Sequence, residues 1–138
     1  MKGGGITVRV DGASRGNPGP AGIGAVVEFE DGTPSRELSA YIGETTNNVA
    51  EYRALLMALE EAGRHEAQSI TVYSDSELLV RQLNGEYKVK AAHLRPLHLE
   101  VRQRLRAFPS ARIMHVVREE NRRADLLANL AIDSHGKT

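Results

Sequence analysis

The feature that most constrains this chain is a pair of alternating segments, each closing on an aspartate. In the first, Ile6, Val8 and Val10 alternate with Thr7, Arg9 and Asp11, the period-two pattern of a half-buried strand. A stretch rich in glycine and proline follows at once, Gly12-Ala13-Ser14-Arg15-Gly16-Asn17-Pro18-Gly19-Pro20. In the second segment, Ile70-Thr71-Val72-Tyr73-Ser74-Asp75, the residues Thr71, Tyr73 and Asp75 share one face. Taken alone, an Asp before a Gly is ordinary turn chemistry. Two such strands lying side by side and parallel place two carboxylates at one edge of a sheet. Crowded carboxylates are costly unless something pairs with them, and a divalent cation is an effective partner.

The pattern around these strands predicts an α/β fold of the mixed α+β kind. Strand one covers residues 6–11, strand two 22–30 and strand three 37–43, with a turn at Asp31-Gly32-Thr33-Pro34. No room exists for a crossover helix, so strands one to three form an antiparallel meander. A helix starts near Thr46 or Asn47, presents Val49, Tyr52, Leu55, Leu56, Leu59 and Ala62 to the core, and stops at Gly63. Strand four spans 70–75, and a short helix, capped by Ser76 or Asp75, runs over 76–83 to the break at Asn84-Gly85. A connection at 86–92 leads to a longer helix over 94–108, ended by Pro109, and strand five covers 112–117. The last helix starts at Asn121 and turns Ala124, Leu127, Ala128 and Ala131 inward, so it should sit close to its neighbour. The result is a five-stranded mixed sheet flanked by helices, with strands one, four and five parallel. One domain at 6–134 is expected, between flexible ends at 1–5 and 135–138.

Composition narrows the chemistry. The chain has no cysteine, which excludes disulfides and thiolate metal sites and suits a reducing cytoplasm. No apolar run is long enough to span a bilayer, so no membrane partner is expected. The 18 Lys and Arg balance the 18 Asp and Glu, so any pull toward nucleic acid must be local. Two more acids stand out. Glu51 lies in the first turns of its helix beside the buried stripe, and Asp125 lies one turn after Asn121 between Ala124 and Ala128. Either alone reads as a charge complementing a helix N-terminus. Together with Asp11 and Asp75 they form a hard oxygen set without His, which favours magnesium or manganese over zinc.

Four segments carry a family resemblance. Asp-Gly-Ala-Ser-Arg-Gly-Asn-Pro-Gly at 11–19, Thr-Thr-Asn-Asn-Val-Ala-Glu-Tyr-Arg-Ala-Leu at 45–55, Tyr-Ser-Asp-Ser at 73–76 and Asn-Arg-Arg-Ala-Asp-Leu-Leu-Ala-Asn at 121–129 resemble, in order, the active-site motifs of type 1 ribonuclease H. The resemblance implies an endonuclease that cuts the RNA strand of an RNA–DNA hybrid, leaving 5′-phosphate and 3′-hydroxyl ends. Asp11, Glu51, Asp75 and Asp125 would be the catalytic metal ligands for two magnesium ions, with manganese as a substitute, and Asp11 would bridge them. One ion would activate water and the other would stabilise the leaving oxygen. No obligate protein partner is evident.

Asn17, Asn47, Asn48 and Glu77 fall on the positions that read the substrate, and Thr46 on one that helps hold a DNA phosphate. An amide both donates and accepts, as a 2′-hydroxyl does, so Asn suits telling RNA from DNA. Glu77 departs from the Gln often found there, and a carboxylate near phosphates repels. The chain looks like a short form, without the tryptophan-rich basic protrusion or the separate hybrid-binding domain of other members. Its basic residues gather at 81–106, where Lys88, Lys90 and Arg95 are candidates for duplex contact. Many members carry a mobile His before the last helix. Here the sequence is Arg118-Glu119-Glu120, leaving Arg118 or Glu119 for that role, while His93, His98 and His115 read as spectators. A module that binds hybrids without cutting them would not need all four acids. An exonuclease or transposase-type relative would leave the asparagines unexplained.

Overall fold

Alternation at Ile6, Val8 and Val10 produces a strand whose aliphatic side is completely covered. The computed structural model describes residues 4–135. Its strands are β1 (Gly5–Ser14), β2 (Gly19–Phe29), β3 (Arg36–Thr45), β4 (Ser69–Ser74) and β5 (Ser110–His115). Its helices are α1 (Asn47–Ala62), α2 (Glu77–Leu83), α3 (Arg95–Leu105) and α4 (Arg122–His135), with 3-10 turns at Ala92–Leu94 and Arg118–Glu120. The sheet order is β3-β2-β1-β4-β5. β1, β4 and β5 run parallel, and the β1–β2 and β2–β3 pairs are antiparallel, as the sequence predicts. The outermost residues of the expected flexible ends, 1–3 and 136–138, lie outside the described residues, while Gly5 opens β1 and His135 closes α4.

Helices cover both faces. Ile6, Val8 and Val10 pack with Ile23, Ala25, Val27, Ile70 and Val72 against α1. On the other face α4 lies over β2, β3 and β1, burying Ala124, Leu127, Ala128, Ala131 and Ile132. A Cβ at Gly24 would run into the Ala124 carbonyl, so the expected close approach of this helix is real. The covering stripe of α1 keeps Tyr52, Leu55, Leu59 and Ala62 of the expected one and is widened by further alanines. Ala50, Ala54, Ala58 and Ala62 are fully buried, whereas Val49 and Leu56 are only half-buried. Small residues every four positions make a flat ridge, and β1 comes up against it.

Several boundaries move, each for a pairing reason. β1 continues past Asp11 because its ladder with β2 runs on from Asp11↔Gly24 to Ser14↔Ala21. Its parallel ladder with β4 stops at Val10↔Ser74. Asp11 is therefore inside a strand, yet it is the first residue beyond the parallel pairing. β5 begins and ends two residues earlier than expected, because Ser110 aligns with Ser69 and His115 with Ser74. The expected helix over 94–108 is trimmed at both ends. Leu94 is buried in the preceding 3-10 turn, Pro96 sits in the first turn of α3, and Phe108 folds back into the core after Leu105.

Candidate active site

The site grows from the register of two strands. β1 and β4 are parallel and in step, so Asp11 and Asp75 emerge side by side just beyond the last paired residues. In open sheets with parallel strands, this carboxyl end is where ligands bind. Asp75 fills the single position between β4 and Ser76, the N-cap of α2, whose Oγ accepts the Leu79 N–H at 3.2 Å. Glu51 comes from the second turn of α1. That helix starts at Thr46, whose Oγ1 accepts the Val49 N–H at 3.3 Å. Gly12 fits it to the sheet: a Cβ there would collide with the Ala50 backbone, and the Gly12 N–H donates to Glu51 Oε1 at 3.0 Å.

Asp11, Glu51 and Asp75 each offer a carboxylate oxygen, and these oxygens lie within 4.8 Å of one another. Asp11 and Glu51 are each only 5% exposed. Burial pushes the Asp11 carboxyl up to about 10, helped by the charges of Glu51 and Asp75 and by a hydrogen bond shared with Asp125. Burial likewise raises Glu51 to about 8, with the Asp75 charge adding to it and the Gly12 N–H opposing it. Asp75 is raised by burial too, against its hydrogen bond with Asp11 and the nearby Arg118 guanidinium. These groups titrate together, so near neutral pH the cluster holds protons when no cation neutralises it.

Asp125 stands outside this tight trio. It lies in the first turn of α4 with its side chain 29% exposed, and Arg118 Nη2 is 3.6 Å from its Oδ1. It nevertheless lines the same cleft, of about 440 Å³, with Asp11, Glu51, Asp75, Asn47 and Arg118. The oxygen-only donor set, crowded enough to retain protons, fits a divalent cation of the magnesium class. Glu119 is exposed and does not line the cleft. Arg118 is the member of that pair brought to the acids.

The remaining candidates lie around this cleft or away from it. Asn17, Asn47 and Asn48 are exposed, and Asn17 Oδ1 accepts the Asn47 N–H at 2.9 Å. That bond joins the β1–β2 bend to the start of α1. Glu77 is exposed and ion-paired with Arg81 at 2.8 Å. Lys88 and Lys90 are exposed, whereas Arg95 turns back to donate to the carbonyls of Val89 and Lys90 at 3.1 and 3.3 Å. His98 lies against the Gln82 carbonyl at 3.2 Å, and His115 is exposed on β5.

Two residues of the fourth motif do more than the sequence reading assigned them. The carbonyl of Asn121 accepts the Asp125 N–H at 3.1 Å, as a cap should. Its side chain, 1% exposed, instead donates from Nδ2 to the Val10 carbonyl at 2.8 Å, tying the start of α4 to the strand that carries Asp11. Asn129 Nδ2 reaches both the Asp125 carbonyl at 3.0 Å and Asp125 Oδ1 at 3.2 Å. The four-residue spacing from Asp125 was the available signal for the second contact. Nothing local announced the first.

Comparison with known proteins agrees with this geometry. A protein-family model described as Reverse transcriptase-like matches residues 9–131. Ribonuclease HI of Halobacterium salinarum is 43% identical over 96% of this chain and 66% of that relative. The N-terminal RNase H domain of Rv2228c from Mycobacterium tuberculosis, solved as a fusion with maltose binding protein, superposes with a TM-score of 0.91 at 40% identity, covering 97% of both chains. LC11-RNase H1, solved in complex with an RNA/DNA hybrid, gives a TM-score of 0.87 at 46% identity, covering 94% of this chain and 98% of that one. The chain spans 66% of the Halobacterium relative and 36% of the full Rv2228c protein. A likeness of that extent, in sequence and in fold together, makes this chain a member of the type 1 ribonuclease H family.

Proposed function

We propose that the chain is a metal-dependent endoribonuclease that hydrolyses the RNA strand of RNA–DNA hybrids. The observation that carries this reading is the convergence of three carboxylates within 4.8 Å at the carboxyl end of the parallel strands, in a chain of this family. Asp11, Glu51 and Asp75 would hold magnesium, with manganese as the alternative, and Asp125 would complete the set from the rim. A metal held by these carboxylates would supply a polarised attacking water and charge neutralisation at the leaving 3′ oxygen. No protein nucleophile is then required, and the products carry 5′-phosphate and 3′-hydroxyl ends.

The chain's own groups orient the substrate. Asn17, Asn47 and Asn48 stand exposed where the β1–β2 bend meets α1, and their amides match the donor and acceptor character of RNA 2′-hydroxyls. Thr46, placed at the same helix start, fits a DNA-strand phosphate. Arg81 offsets the charge of Glu77, which lets a carboxylate sit near a phosphate backbone. Lys88 and Lys90 supply charge to the duplex, and Arg95 holds the loop that presents them. Arg118 or, beyond the cleft, Glu119 takes the place of the mobile His of other members. The domain at 6–134 would be the catalytic unit, acting in the cytoplasm.

The deciding experiment compares labelled RNA in RNA–DNA and RNA–RNA duplexes, and labelled DNA in DNA–DNA, with and without magnesium. Internal cleavage of RNA in the hybrid alone, and only with metal, is expected. A hybrid that is bound but left intact in both magnesium and manganese would overturn the reading.

A further inference from the structure

We propose that Arg15 and Asn129 are positioning residues that aim the Asp125 carboxylate into the cleft and tie it to the substrate-facing bend between β1 and β2. The inference rests on Asp125 serving as a metal ligand, as in the function proposed above. Arg15 lies in the bend just after β1. Its Nη2 donates to Asn129 Oδ1 at 3.3 Å and its Nη1 to Asp133 Oδ1 at 2.6 Å. Asn129 in turn donates from Nδ2 to Asp125 Oδ1 at 3.2 Å and to the Asp125 carbonyl at 3.0 Å.

The order of these contacts follows from the chemistry of the groups. A guanidinium can only donate, whereas an amide has one donating and one accepting end. With Arg15 on its oxygen, Asn129 must turn its nitrogen to Asp125. Without Arg15 the amide is free to rotate and to present an oxygen to a carboxylate, which repels. Asp133 fixes the guanidinium from its other side, one helical turn further along α4. Arg118 also approaches Oδ1 of Asp125, at 3.6 Å. Asn129 and Arg118 therefore both address the Oδ1 oxygen of Asp125.

Two residues beyond Arg15, the same bend reaches the opposite wall of the cleft, where Asn17 Oδ1 accepts the Asn47 N–H at 2.9 Å. The bend thus bridges α1 and α4. It holds Asp125 at one end and the proposed 2′-hydroxyl readers at the other.

The test uses Asn129→Ala, Arg15→Ala, the double variant and Arg15→Lys, which keeps a donor. Magnesium titration of thermal stability, without hybrid, reads metal affinity directly. Each alanine variant should need about tenfold more magnesium for half of its stabilisation, as is usual when a ligand's outer partner is removed. The double variant should be no worse than the worse single variant, because the two residues act through one contact. Arg15→Lys should recover part of the loss. On the hybrid, kcat should fall with KM nearly unchanged.

An unchanged magnesium midpoint in both single variants would overturn the proposal, as would strictly additive losses. So would a raised KM at normal kcat, which would make Arg15 a substrate contact. If the parent protein left hybrids uncut while the magnesium midpoints shifted as expected, the substrate reading would fall and the positioning role would stand.

Discussion

Asp11 sits in strongly unfavourable electrostatics. It is buried, it faces Glu51 and Asp75, and it shares a hydrogen bond with Asp125. Such a group persists because its charge is used. Replacing it by Asn keeps the shape and removes the charge, so Asp11→Asn, and Asp75→Asn likewise, should lower hybrid cleavage by about a thousandfold. Hybrid affinity should change little. Single-turnover cleavage and equilibrium binding separate the two, and near-normal turnover in either variant would remove the metal-ligand assignment. The four acids were legible in the sequence because each sits in a short local pattern: a strand end or a helix start. The contacts of Arg15 with Asn129 and of Asn121 with Val10 have no such local pattern. Arg15 meets Asn129 across 114 positions of sequence, and Asn121 meets Val10 across 111. No periodicity reports contacts of that range.

Between elements, what decides the site is how closely α1 approaches β1. Gly12 has no side chain to hold the helix away, and the Ala50, Ala54, Ala58 and Ala62 stripe gives it a low ridge. Periodicity in the sequence places Tyr52, Leu55, Leu59 and Ala62 in the core, where they are buried, but it misses Ala50, Ala54 and Ala58, since it weights size and says little about proximity. For the same reason it recognised the strand pairing but misplaced strand ends, which depend on neighbouring strands. Gly12→Ala tests the close approach. The new methyl group meets backbone, which cannot rotate aside, so overpacking should cost about 1–3 kcal/mol. For a chain of this size that lowers the thermal midpoint by about 3–10 °C. Cleavage should fall further than stability does, because the same shift moves Glu51 away from Asp11 and Asp75. The check is melting and kinetics on one preparation. An unperturbed melting curve would mean that the helix does not rest on this glycine.

For the molecule as a whole, the raised carboxyls of the acidic cluster should oppose folding as pH rises, and a metal bound as proposed above should offset that. The balanced charge of the chain leaves little global repulsion, so the pH dependence of stability should report the cluster strongly. The Asp11 carboxyl is raised from 3.8 to about 10 and that of Glu51 from 4.5 to about 8. Between the unfolded and folded values, the folded protein holds protons that the unfolded chain has released. Stability therefore falls as pH rises, since its slope follows the protons bound by the unfolded state minus those bound by the folded one. The contribution is fully present below about pH 4 and is lost through pH 8 and on toward 10. In chelator, the thermal midpoint of the parent should decline from pH 5 to 9. Asp11→Asn, with one charge fewer in the cluster, should decline less and melt higher at pH 8, although it does not cut. On the function proposed above, magnesium would bind the folded site in competition with its protons, so its stabilisation should grow with pH. At a hundred times its dissociation constant it contributes about 2.7 kcal/mol, or a rise of about 5–10 °C for a chain of this size. Melting curves of both proteins across pH, in chelator and in magnesium, provide the measurement. Parallel pH profiles for parent and variant, with no magnesium gap that widens toward alkaline pH, would show that these acids do not act as one cluster.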